Sequence, residues 1–141
     1  KQIFFNHETA LDLSNDNKAD LIIGNNVYAH VPNLLSVTQG FRTLLNEKGT
    51  VTLEFPHLLN LMRYGQFDTI YHEHYSYFSL KSVIKIFESK GLRIYDVEEI
   101  STHGGSLRIY GCRAEFKISL TVPWAQISPP WTPAPGPTST I

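Results

Sequence analysis

The stretch Asp20-Leu21-Ile22-Ile23-Gly24-Asn25-Asn26-Val27-Tyr28-Ala29-His30-Val31-Pro32 decides how the rest of the chain is read. It opens with a short apolar run ended by two asparagines, the pattern of a buried parallel strand. Asn33 then stands where a helix N-cap belongs, and Gly49 where a C′ glycine belongs. Between them Leu34, Val37, Phe41, Leu44 and Leu45 recur at helical spacing. Thr50–Phe55 follows as a second strand, stopped by Pro56.

Working outward, Glu8 to about Asn15 is a weak helix on the N-terminal side. On the C-terminal side, His57 to Phe78 is rich in aromatic and His residues and has no period. Leu80, Val83, Ile84 and Phe87 restore helical spacing between a Ser79 cap and a Gly91 stop. Leu92–Glu98 and Ser106–Arg113 are β-rich runs around a polar turn containing His103-Gly104-Gly105. That turn is too short for a right-handed crossover, so these strands must pair antiparallel. The order strand, helix, strand, insertion, helix, strand, strand is the back half of a mostly parallel α/β sheet ending in an antiparallel hairpin. No strand–glycine-rich turn–helix unit occurs in the chain. Ligands of such sheets lie at the carboxyl ends of the strands, which Asn25, Asn26, Glu54 and the segment after Pro56 would face.

Composition narrows the function classes. The 141 residues carry 12 Lys+Arg against 13 Asp+Glu and are 42% hydrophobic, enough for one domain with a real core. Balanced charge argues against a nucleic-acid-binding face, and no apolar run is long enough for a membrane span. A single cysteine, Cys112, leaves no disulfide framework or Cys-rich zinc cluster and points to a reducing, cytoplasmic compartment. The chain begins with Lys1, so a piece of something longer is expected. The domain is expected to span residues 1–117, with 118–141 a Pro-rich, disordered tail holding Trp124 and Trp131.

Three constellations could carry chemistry. Tyr71-His72-Glu73-His74-Tyr75-Ser76-Tyr77 packs imidazoles, a carboxylate and phenols together. Imidazole is the usual proton-transfer group near neutrality, a carboxylate can fix its tautomer, and a phenol can donate to a developing oxyanion. On spacing alone the same residues read first as an aromatic connector packed on the sheet, with solvated His side chains. A third reading is a metal site, since His72 and His74 would project to one side of an extended segment; it lacks a third ligand at a familiar spacing. Asn25 and Asn26, with His30 beyond them, suit either cofactor contact or plain turn chemistry. His103-Gly104-Gly105 with Arg108 suits a close backbone approach and a bidentate anion partner, or a simple hairpin turn.

Taken together, DLIIGNNVYAHVP (20–32), TLEFPH (52–57), FDTIYHEHYSY (67–77) and HGGSLR (103–108) resemble the S-adenosylmethionine (SAM)-dependent C-methyltransferases of nucleotide-linked keto sugars. The resemblance covers about residues 3–117, and its specificity lies in four motifs agreeing in order and spacing. It implies a Rossmann-like class I methyltransferase core with sheet order 3-2-1-4-5-7-6, of which this chain holds strands 4-5-7-6. It further implies SAM as cofactor and a small-molecule nucleotide-sugar substrate, with no nucleic acid or membrane partner. Tyr71, Glu73, His74 and His30 would be catalytic: His74 the base assisted by Glu73, Tyr71 and His30 the oxyanion or hydroxyl partners. Asn25, Asn26 and Ala29 would border SAM, and His103, Gly104, Gly105 and Arg108 would face the nucleotide sugar. The family's N-terminal zinc domain, glycine-rich SAM loop and ribose-holding acid are absent from the chain, so zinc is expected only outside it. The isolated chain is expected to be inactive. A non-catalytic nucleotide-sugar binding module and a His/Glu metal centre are the alternatives.

Overall fold

Helix α1 (His7–Ser14) starts at a capping box, in which the Asn6 side chain accepts from the Thr9 N–H and Thr9 Oγ1 accepts from the Asn6 N–H. The computed structural model describes residues 3–15, 17–101 and 104–117. The expected tail, 118–141, lies outside the described residues, as does His103.

Strands β1 (Ala19–Asn25), β2 (Leu45–Pro56), β3 (Leu92–Ile100) and β4 (Ser106–Arg113) form a sheet of order β1-β2-β4-β3. β1 and β2 are parallel, whereas β4 runs antiparallel to both of its neighbours. This is the expected 4-5-7-6 order with its antiparallel hairpin. Helix α2 (Leu34–Leu44) makes the crossover from β1 to β2, and α4 (Leu80–Ser89) leads into β3. Asn33 and Ser79 cap these two helices as the sequence predicts, each accepting a main-chain N–H three residues on. Gly91, at φ +67°, takes the left-handed position after α4.

Alternation along the strands separates two faces of the sheet. Val51, Leu53 and Phe55 of β2 and Leu107 and Ile109 of β4 are buried in one core with Val37 and Phe41 of α2 and Val83 and Phe87 of α4. The opposite face carries Leu21 and Ile23, 55% and 63% exposed, beside half-buried Thr50, Thr52, Tyr95 and Tyr110. β1 is therefore not the buried strand its apolar run predicts; it is an edge strand with one face uncovered among the described residues.

Two further expectations are corrected. Gly49 is not a helix stop: Leu45 is already extended, with φ −66° and ψ 134°. The Arg113 guanidinium takes the carbonyls of Arg42 and Leu45 at 2.7–3.0 Å, so the helix end needs no left-handed glycine. β2 thus starts at Leu45, with an irregularity before Thr50 pairs Leu21. Within the unpatterned segment lies a short helix, α3 (Leu58–Tyr64), ended by Gly65 at φ +60°. Only Leu61 of this helix is buried, although Leu58 and Leu61 stand at helical spacing in the sequence.

Candidate functional site

β1, β2 and β3 end, and β4 begins, at one edge of the sheet. The site residues gather there. Asn25 is exposed at the end of β1, and Asn26 turns the chain at φ +53° while its N–H donates to the Glu54 carbonyl at 2.8 Å. Asparagine tolerates this left-handed conformation better than other side chains. A 3-10 turn, Tyr28–His30, follows. Tyr28 anchors it: the ring is 1% exposed, stacked on Phe78 at 5.1 Å, and its hydroxyl meets Thr38 Oγ1 at 2.6 Å. Burial pushes its phenol up to about 12, partly offset by the Thr38 bond, so it stays neutral.

The segment after α3 folds back onto this turn. The Ala29 carbonyl accepts the N–H groups of Tyr75 and Ser76 at 2.9 and 3.3 Å, and the Phe78 carbonyl accepts that of Leu58 at 3.0 Å. These bonds bring His74 beside His30, with ring centroids 4.7 Å apart. Tyr71 lies on His74 at 4.3 Å, and Tyr77 meets it edge-on at 5.7 Å. His74 Nδ1 is 2.9 Å from the Thr69 carbonyl. A carbonyl only accepts, so in the neutral ring Nδ1 carries the hydrogen and Nε2 the lone pair. The Tyr71 hydroxyl, 3.2 Å away, donates to that lone pair. His30 is held alike, its Nδ1 donating to the Glu73 carbonyl at 3.0 Å.

The structure brings His74, His30 and Tyr71 together, and two neighbours take different parts. Glu73 is exposed and contributes its main-chain carbonyl to His30, while Thr69 holds the His74 nitrogen expected for a carboxylate. Ala29 is 2% exposed, and its carbonyl docks the histidine segment. His72 and His74 do not share one side of an extended run, because the chain turns between them and the His74 N–H closes on the Tyr71 carbonyl at 3.1 Å. Among the described residues no three His, Cys, Asp or Glu are grouped to hold a metal.

Arg108 is engaged within the sheet. Its guanidinium sits 2.9 Å from Glu54, a carboxylate 7% exposed, and 3.5 Å from Glu98, which also accepts from the Tyr110 hydroxyl at 3.0 Å. The Glu54 hydrogen bond raises its pKa. Asn25, Glu54, Arg108 and Glu98 pair in register, a polar row across all of the sheet's strands. The anions that Arg108 meets here are thus two carboxylates of the chain itself.

Gly104 and Gly105 adopt φ +77° and +110°. A Cβ on Gly104 would lie 2.5 Å from Gln66 Nε2, and one on Gly105 2.5 Å from Asn60 Nδ2. Their bareness is therefore used within the chain, to let α3 and the residues after it press on the turn.

Sequence reasoning passed over His57, Gln66 and Thr69. His57 is 9% exposed at the end of β2; its N–H donates to the Gly105 carbonyl at 3.1 Å, and its buried Nδ1 has no hydrogen-bond partner among the described residues. Burial lowers its pKa below the ordinary histidine value, against the opposing pull of Glu99. The Pro56-His57 strand end was the available signal for it.

Known proteins place the fold in a family. The chain is 44% identical over 96 residues to C-methyltransferase NovU of Streptomyces niveus, spanning 68% of this chain and 23% of that protein's length. Among solved structures it resembles magnesium protoporphyrin IX methyltransferase of Synechocystis PCC 6803, with TM-score 0.54, 19% identity, and 68% of this chain and 45% of that one covered. It also resembles a S-adenosylmethionine-dependent methyltransferase of Clostridium acetobutylicum ATCC 824, with TM-score 0.54, 12% identity, and 68% and 58% covered. At these identities the two structures speak to the fold alone. Residues 1–97 match the methyltransferase domain family, and the chain belongs to that family.

Proposed function

We propose that this chain forms the acceptor-side half of a SAM-dependent C-methyltransferase that methylates a nucleotide-linked keto-deoxysugar through an enolate. The observation that carries the reading is the state of His74: Nδ1 tied to a carbonyl, Nε2 presenting a lone pair at the carboxyl edge of the sheet, with His30 and Tyr71 against the ring. The name of the relative, a C-methyltransferase, supports carbon as the acceptor. A cytoplasmic, small-molecule setting goes with this reading, and no described helix is long and apolar enough to cross a membrane. On this reading the domain spans residues 1–117.

SAM, when bound, supplies a methyl group on a positively charged sulfur. Exposed Asn25 and Val27 and the tightly turned Asn26 fit one wall of its site. The chain's own residues perform the proton chemistry. Nε2 of His74 takes the hydrogen from the carbon beside the ketone, and the C–H electron pair becomes the enolate. The resulting imidazolium donates from both nitrogens, to Thr69 and to the Tyr71 oxygen. That reverses the Tyr71–His74 bond and frees the phenol proton for the enolate oxygen. His30, whose Nε2 is left open by the Glu73 bond, is a second group for a neighbouring hydroxyl or the same oxygen. SAM would supply its methyl to the enolate carbon so formed, a transfer that needs orientation more than further acid or base from this chain.

A chimera in which residues 3–117 replace the matching part of NovU tests this. His74→Asn is expected to abolish methyl transfer while S-adenosylhomocysteine binding is kept. A His74→Asn chimera with most of its activity would overturn the base assignment. Nucleotide-sugar binding without turnover in the unmutated chimera would favour a non-catalytic binding module.

A further inference from the structure

The carbonyl that sets the His74 tautomer stands on an unlikely support. Thr69 closes the 3-10 turn Phe67–Thr69, which has no side-chain cap and buries none of its residues; Phe67 is 77% exposed. Core packing therefore does not fix this carbonyl. Gln66 ties the turn down from both sides. Its N–H donates to the Leu61 carbonyl of α3 at 3.0 Å, and its own carbonyl accepts Thr69 Oγ1 at 2.9 Å. Its side-chain Nε2 donates to the Gly104 carbonyl at 2.7 Å. The glycine turn is itself fixed, because the His57 N–H holds Gly105.

We infer that Gln66 is a positioning residue for His74. A continuous path runs from the Gly104 carbonyl through the Gln66 amide and Thr69 to the His74 ring, so the hairpin turn between β3 and β4 sets which nitrogen of the base is free. Gly104, at positive φ, then has a functional reason: a side chain there would displace the Gln66 amide. The inference rests on His74 being the base, since it names what fixes that base's tautomer.

The experiment needs no turnover. Long-range 15N–1H spectra of the 141-residue chain, recorded where the rings are neutral, report each histidine's tautomer. In the unmodified chain His74 and His30 are both expected in the Nδ1–H form. Gln66→Met and Gln66→Glu remove the donor on a half-buried side chain while the turn keeps its His57 bond. They are expected to move the His74 tautomer ratio toward Nε2–H by about fivefold, the worth of one net hydrogen bond. His30, whose acceptor is Glu73, stays unchanged and serves as the internal control. Gly104→Ala should reproduce the shift. A His74 pattern identical in the unmodified chain and both Gln66 variants overturns the inference, as does an Nε2–H ring at the outset. Failure of the base reading is distinguishable: it would appear as methyl transfer surviving His74→Asn in the chimera, whatever the spectra show.

Discussion

On one face of the sheet Val51, Leu53 and Phe55 disappear beneath α2 and α4; on the other, Leu21 and Ile23 stand in the open beside a polar row. The same strands supply both faces, so the difference is one of partners rather than of composition. The covered face is held by apolar burial, which is worth most where packing is closed on all sides. The open face is held by cross-strand pairing: Glu54 with Arg108, Arg108 with Glu98, Tyr110 with Glu98, Thr50 with Tyr95. Among the described residues the chain therefore stores its stability on one side, while the other side and the outer edge of β1 stand uncovered.

The largest effect should separate the faces directly. Phe87 is fully buried under the sheet, and Phe87→Ala should cost about 3–5 kcal/mol in urea unfolding of the chain. Ile23→Ala, on the open face, should cost under about 0.5 kcal/mol. Similar losses at both positions would mean that the open face is covered in solution.

A smaller effect probes the polar row. Arg108→Met removes the guanidinium that pairs with the nearly buried Glu54 carboxylate and should lower the urea midpoint, the half-open guanidinium keeping the loss below that of a fully buried pair. Glu54→Gln, which leaves no uncompensated buried charge, should cost less. The opposite ranking would show that Arg108, not Glu54, is the group in need of its partner.

The covered face was also the legible one. Asn33, Ser79 and Gly91 announced α2 and α4, and the short hairpin turn forced the antiparallel pairing, because caps and turn lengths are local chemistry. What was missed depends on contacts between distant residues. Gly49 looked like a helix stop until Arg113, far along the chain, satisfied the α2 carbonyls. Arg108 looked free until its register opposite Glu54 was known. At the site the residue types of 71–77 were informative, but the tautomer of His74 is set by Thr69, whose role is carried by a main-chain carbonyl that every residue type possesses. The αL glycine at 65, with Leu58 and Leu61 at helical spacing, was a readable sign of α3.

The smallest effect lies where the two faces meet the site. His57, at the end of β2, has its pKa lowered in the folded chain because burial disfavours the charged ring. Below the ordinary histidine value of 6.5 the unfolded chain then binds the proton more readily than the folded one. Stability should be full above that pH and fall as pH drops toward the folded value, by at most about 1.4 kcal/mol per pH unit for one group. Glu115, whose carboxyl is held low by its backbone hydrogen bond and by Arg42 and Arg113, acts only in the more acidic range below 4.5, so the two windows separate. Urea midpoints measured between pH 7 and pH 5 should decline in the unmodified chain and flatten in His57→Gln. An undiminished slope in the variant would place the titrating group elsewhere, and the unpartnered Nδ1 would then be a packing detail rather than the reason that the joint between α3, β2 and the glycine turn prefers a neutral ring.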